Sequence, residues 1–223
     1  MAKAKKALPK VVSEKAFRKA VENLRVKEKK NTRERDKISA LRRRLPMMEV
    51  KNYTFEGPEG SKSLLDLFEG RDQLVVYHFM YHPKNDTFCV GCSFVADHIP
   101  HLAHVNARNT SFVFISHAPL KSIQRHKKRM KWTTPWYSGW ETSFNEDLGI
   151  DGNREHALSV FLRDGKKIYR TYYTGGRGVE YMGTPWAILD LTPYGRQEKW
   201  EKSPQGWPQT EMYTWWRFHD EYK

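Results

Sequence analysis

A mixed α/β sandwich, a central sheet flanked by helices, is the architecture this sequence predicts. Two strongly β-prone runs, 74–81 and 111–116, are each followed by a helical segment, the order that favours parallel strands joined by crossovers. A third β-rich pair, 157–162 and 167–173, flanks Asp164-Gly165, a hairpin turn signal that adds antiparallel strands. The composition, 39% hydrophobic and 13% aromatic over 223 residues, supplies a real core for one substantial domain with extensions.

The elements follow in order. Ser13 can cap a helix over 13–45, in which Phe17, Ala20, Val21 and Leu24 recur at helical spacing. Residues 25–36 are almost wholly charged; Ile38, Leu41 and Leu45 then form a second apolar stripe before Pro46, which gives a charged helical arm with two docking points. A short edge strand is expected at 53–55, ahead of the turn Gly57-Pro58-Glu59-Gly60, and a short helix at 64–68. The strand 74–81 leads through a loop at 83–88 into Cys89-Val90-Gly91-Cys92 and a helix over 93–107 that Pro100 should kink. After the strand 111–116, Pro119 opens a helix that runs to Met130. An aromatic segment, 131–152, precedes the hairpin; its Trp132, Trp136, Tyr137 and Trp140 read as packing plus an interface. Gly175–Gly178 reads as a turn, residues 181–191 as a closing helix interrupted by Pro185, and 212–222 as an aromatic terminal turn or helix.

Charge divides the chain unevenly. Residues 1–45 hold 17 basic and 5 acidic side chains, whereas the rest hold 22 and 21, so all but one unit of the net charge of +13 belongs to the arm. This argues against specific nucleic-acid recognition by a broad positive face, and no nucleic-acid motif is present. No run of 18 apolar residues exists, so no transmembrane segment is expected. The basic start lacks the apolar stretch of a secretory signal, and the two cysteines form no disulfide scaffold; the expected compartment is cytoplasmic. The expected division is a basic helical arm (1–50), a core domain (51–195) and an aromatic extension (196–223) that packs on the domain or on a second subunit, with a homodimer as one outcome.

Chemistry concentrates at Cys89 and Cys92. Cys89 stands at a helix start, where unpaired backbone N–H groups stabilise a thiolate, and Cys92 is spaced to resolve a mixed disulfide on it. Inert buried thiols are a competing reading. A zinc site is another, because histidines stand at 78, 82, 98, 101 and 104, but their spacings match no common zinc finger. No metal and no cofactor is expected.

The residues also carry a resemblance. Leu74-Val75-Val76-Tyr77-His78-Phe79-Met80, Cys89-x-x-Cys92-Ser93-Phe94-x-Ala96-Asp97, Ser116-His117-Ala118-Pro119-Leu120 and Lys128-Arg129-Met130-Lys131-Trp132 are similar to the DUF899 family of thioredoxin-like proteins. So are Pro135-Trp136, Ser159-Val160-Phe161, Asp164-Gly165, Asp190-Leu191-Thr192-Pro193-x-Gly195-Arg196 and Arg217-x-His219-Asp220-Glu221-Tyr222. The resemblance implies a thioredoxin-like fold and leaves the substrate open. Active thioredoxins resemble one another in a cis-proline facing the dithiol; here Arg154-Glu155-His156 occupies that place.

Three further residues join the candidate catalytic set. His156 can approach the thiolate, His78 can lie beside the cysteine loop, and Asp97 can accept a proton, with an exposed loop histidine, a packed histidine and a solvent-facing acid as their plain alternatives. The expected function is dithiol–disulfide exchange with a protein or small-molecule thiol or disulfide. The alternatives are a non-catalytic scaffold or binding protein, and thiol-peroxidase-like reduction, for which Pro83, Thr87 and Cys89 with Arg125, Arg129 or Arg154 are the candidate parts.

Overall fold

Ser13 begins the described helical structure by accepting the Ala16 N–H at 3.4 Å and so capping α1 (Glu14–Arg42). The computed structural model describes residues 8–222; the first seven residues of the expected arm lie outside the described residues. No residue of α1 is buried. The helix is supported by helical propensity and by i,i+3 and i,i+4 pairs such as Glu14–Arg18, Glu22–Arg25 and Glu34–Lys37. Neither of the two apolar docking points expected for the arm is buried: Ile38, Leu41 and Leu45 are exposed like the first stripe. Phe17 and Leu24 are 59% and 54% exposed, and the second half meets the body through Arg35 over Tyr181 and Arg42 over Tyr172, at 5.3 and 5.2 Å from the ring centres.

The strands are β1 (Met48–Val50), β2 (Thr54–Gly57), β3 (Gly60–Ser63), β4 (Gln73–His78), β5 (Tyr81–His82), β6 (Thr87–Phe88), β7 (Thr110–Ser116), β8 (Trp136–Ser138), β9 (Ala157–Asp164) and β10 (Lys167–Gly175). The helices after α1 are α2 (Val90–Ala96), α3 (Ala103–Asn106), α4 (Leu120–Met130), α5 (Phe144–Asp147) and α6 (Thr184–Leu189). Eight strands form one sheet in the order β1-β10-β9-β4-β7-β8-β2-β3, and β5 and β6 form a separate ribbon. β4 and β8 run parallel to β7, whereas β9 is antiparallel to β4 and β10 to β9. The expected hairpin turns at Gly165, whose φ of 57° suits a residue without a side chain.

Local expectations are refined at several places. The helix expected over 93–107 is two helices, with α2 starting earlier at Val90 and the chain leaving helical geometry before Pro100. Proline lacks the N–H that a continuous helix needs and disfavours helical geometry in the residue before it. The aromatic segment 131–152 contributes β8, three residues too short to show alternation, and the expected helix at 64–68 is a single 3-10 turn, Asp66–Phe68. Residues 212–222 are mostly irregular and end in a 3-10 turn, His219–Glu221.

Alternation along β4 divides the core. Tyr77 joins Phe79, Phe114, Trp136 and α2 on one face, whereas Leu74 and Val76 pack with Val113, Ile115, Phe144 and Phe161 on the other. His78 belongs to the second face: it is 1% exposed, stacks on Phe144, and its ring nitrogens meet Asn145 Oδ1 and Ser159 Oγ, each at 2.8 Å. Burial lowers its pKa to about 4. His126 on α4, also buried, is lowered to about 4 by burial and then by the nearby Arg129.

These histidines predict acid sensitivity. The unfolded chain binds their protons near the ordinary 6.5, while the folded chain resists until about 4. Stability is therefore complete above 6.5 and falls as pH drops through that window, by on the order of 1–2 kcal/mol per histidine at pH 5. Urea midpoints at pH 7 and pH 5 check this, and His78→Phe should flatten part of the difference.

Candidate functional site

The site begins where β4 ends. The β5–β6 ribbon returns the chain so that the Cys89 N–H donates to Met80 O at 3.2 Å, and Cys89 becomes the capping residue of α2. Its Sγ accepts the Cys92 N–H at 3.4 Å. Ser93, fully buried, donates its hydroxyl to Cys89 O at 3.0 Å and thereby fixes the turn. Both thiols are free, with Cys89 half-buried and Cys92 buried.

The two sulfurs are electrostatically unequal. Donation from the Cys92 thiol, opposed by burial and helped by the Cys92 and Gly91 N–H groups, brings Cys89 down to about 7. Burial and the neighbouring Cys89 push Cys92 well above its ordinary value. One sulfur is thus poised as a thiolate near neutrality while the other keeps its proton. Tyr77 lies beneath them, fully buried; its hydroxyl has no conventional hydrogen-bond partner and faces the sulfurs of Cys92 and Cys89. Burial, then the cysteines, hold that phenol protonated far above its ordinary range.

A cavity of about 240 Å3 opens on Cys89 and is lined by Tyr77, Met80, Val95, His156 and Trp216 among others. His156 precedes β9 and stands parallel to the Tyr77 ring at 6.3 Å, with Nε2 3.4 Å from Gly176 O. Burial lowers its pKa and so favours the uncharged ring. The chain brings His156 and the dithiol to one cavity; it does not bring the other two candidates there. His78 sits on the opposite face of the sheet, because it is one residue along the strand from Tyr77. Asp97, at the end of α2, accepts the Trp132 indole N–H at 2.7 Å and contacts His219 Nδ1 at 2.6 Å. It clasps the C-terminal tail and is not among the residues that line the cavity.

That tail is the part of the site that sequence reasoning missed. Trp216 stacks on Phe94 at 5.6 Å and covers Gly91 so closely that a Cβ there would lie 2.7 Å from its ring. Gly91 is required by this contact. Buried Glu198 receives the Trp215 indole N–H and the Tyr213 N–H, each at 2.8 Å, and Arg129 forms a bidentate pair with Asp220 plus a bond to Glu221. Phe218 is buried against His126. The signal available in the sequence was Trp215-Trp216 itself, too aromatic to stay in water, but its destination depends on contacts more than 100 residues away.

The arginines considered for a peroxide-binding arrangement are engaged elsewhere. Arg125 pairs with Asp86 at 2.7 Å, Arg129 holds the tail, and Arg154 faces Asp151 at 3.7 Å. The cavity's own arginine, Arg177, pairs with Glu180 at 2.9 Å. Among the described residues no three His, Cys, Asp or Glu side chains gather as a metal-binding group, and no helix is long and apolar enough to cross a membrane.

The strand order β7-β4-β9-β10, with a Cys-x-x-Cys capping the helix that follows β4, defines a thioredoxin-like protein with paired cysteines. The chain belongs to the family described as bacterial proteins of unknown function (DUF899), whose model matches residues 6–222. No curated protein matches the chain in sequence. Among solved structures it is similar to peroxidoxin BcpB from Mycobacterium tuberculosis, at 16% identity and a TM-score of 0.48 over 65% of this chain and 97% of that one. A mutant PrxQ from Xylella fastidiosa shows 12% identity and a TM-score of 0.46 over 64% and 94%. A Chlorobium tepidum protein assigned as the thiol:disulfide interchange protein DsbE shows 13% and 0.45 over 64% and 94%.

Proposed function

We propose that this protein is a dithiol oxidoreductase in which Cys89 is the nucleophile and Cys92 the resolving thiol. The observation that carries the reading is the split between the two sulfurs: Cys89 is half-buried and lowered to about 7, while Cys92 is buried and raised. At neutral pH Cys89 attacks an oxidised substrate and forms the covalent adduct. Cys92 then loses its proton, attacks the Cys89 sulfur and expels the reduced fragment, leaving a Cys89–Cys92 disulfide. Donation from the Cys92 thiol to the Cys89 thiolate keeps the resolving group beside the adduct it must break. In this reading residues 51–195 carry the dithiol, the tail from 196 completes the cavity, and the arm takes no part in the chemistry. His156 walls the cavity where active thioredoxins place proline.

The test is trapping. Cys92→Ser should accumulate a stable mixed disulfide on Cys89 when mixed with a small chromogenic disulfide, whereas the unaltered protein should release both thiol fragments and lose both free thiols together. Stable adducts on the unaltered protein, with Cys92 still free, would remove the resolving role.

A further inference from the structure

We infer that the oxidised substrate is a small organic hydroperoxide, bound under the Trp216 roof with Tyr77 donating to its oxygens; this rests on the dithiol reading above. Size comes first. The tail covers Gly91, one of the two residues between the cysteines, and roofs a cavity of about 240 Å3, a volume that suits a small molecule. Lining chemistry comes second. Met80, Val95, Val179 and Trp186 present an apolar wall suited to an alkyl or aryl group.

Unspent donors decide the reacting end. Tyr77 Oη and Trp216 Nε1 are both buried; Trp216 Nε1 has no hydrogen-bond partner, Tyr77 Oη has only the Cys92 sulfur, a weak acceptor, and both side chains line this cavity. A buried donor without a strong acceptor is costly, so two of them on side chains that line the nucleophile's cavity call for acceptor atoms in the ligand. The oxygens of R–O–O–H are good acceptors, whereas disulfide sulfurs are weak ones. The arginine that lines the cavity, Arg177, pairs with Glu180, so neutral donors on largely apolar walls take the place of a positive charge and act on developing negative charge.

The step balances with what the site holds. Cys89 Sγ attacks the terminal oxygen; the S–O bond forms as O–O breaks, giving Cys89–S–OH and an alkoxide. The alkoxide accepts hydrogen bonds from Tyr77 and Trp216, takes up the proton that Cys89 released on ionising, and leaves as the alcohol. Cys92 Sγ then attacks the Cys89 sulfur, the S–O bond breaks, and hydroxide departs as water with the Cys92 proton. Two electrons pass from the dithiol to the hydroperoxide, and an external dithiol reductant restores the enzyme.

Stopped-flow oxidation of the reduced full-length chain tests this with cumene hydroperoxide, hydrogen peroxide and oxidised glutathione, following loss of free thiols. Cumene hydroperoxide should react about tenfold or more faster than hydrogen peroxide, because only it carries an apolar group for the cavity. Tyr77→Phe should slow that reaction roughly tenfold, the worth of one hydrogen bond in the largely apolar cavity, while iodoacetamide alkylation of Cys89 changes less than about twofold. Trp216→Phe, which keeps the ring and deletes the N–H, gives a second reading should Tyr77→Phe fail to fold. Equal rates with the two peroxides, a faster reaction with oxidised glutathione, or an unaltered cumene hydroperoxide rate in both variants would overturn the substrate assignment and leave the dithiol intact. Failure of all three oxidants to form the Cys89–Cys92 disulfide would instead overturn the dithiol reading.

Discussion

Cys89→Ser should abolish turnover, by on the order of 10^3-fold or more, since a serine hydroxyl without a base is a very poor nucleophile at neutral pH. The same variant should remove a pH-dependent alkylation that, in the unaltered protein, rises with a midpoint near 7. The sign follows from the thiol's pKa being lowered: the reactive thiolate is present above 7 and is lost as pH falls through it. At pH 7 about half of Cys89 is ionised, against roughly 3% of an ordinary cysteine. Cys92→Ala should raise that midpoint, because donation from the Cys92 thiol is the largest influence holding it down. Iodoacetamide rates between pH 5 and 9 on the three proteins check the whole set. A midpoint near the ordinary cysteine value in the unaltered chain would contradict it.

Phe94→Ala should produce the largest loss of stability of any change near the site. Phe94 is buried between α2 and the tail, in contact with Trp186 at 4.9 Å, Trp215 at 5.5 Å and Trp216 at 5.6 Å. Deleting the ring removes its burial and leaves a cavity that three stiff indoles cannot fill, a cost of about 3–5 kcal/mol. Trp216 loses its platform, so the roof over Gly91 loosens and Cys89 becomes more accessible. Urea unfolding measures the first effect, and the Cys89 alkylation rate at fixed pH measures the second. Arg129→Ala is the contrasting case: it removes part-exposed ion pairs to Asp220 and Glu221, each worth about 0–1 kcal/mol, and should free the last residues to proteolysis with little change in the urea midpoint.

These predictions separate what was legible in the chain from what was not. The runs that became β4, β7, β9 and β10 announce themselves because a buried strand needs consecutive or alternating apolar residues, and α1 and α4 because capping and period are local. α2 starts three residues before its apolar pattern does, and it breaks before Pro100 where a kink is expected, because a proline's effect on a helix depends on whether packing holds both halves together. β1 and β8 are three residues each, and such short pairings are chosen by the sheet edge they meet.

The site divides the same way. By itself the sequence determined the mixed α/β architecture, the dithiol on its helix and the charged arm, since each rests on spacing within one segment. Only the tertiary structure decided which side chains surround the dithiol. One residue along β4 sends His78 to the far face and leaves Tyr77 under the sulfurs. Asp97, three-dimensionally near the tail, is spent on Trp132 and His219, while Trp216, 127 positions after Cys89, forms the roof. The reason is physical: a pattern within one segment reports which way its residues face, but a cavity is made where segments distant in the chain bury their apolar surface together, and nothing local records that meeting.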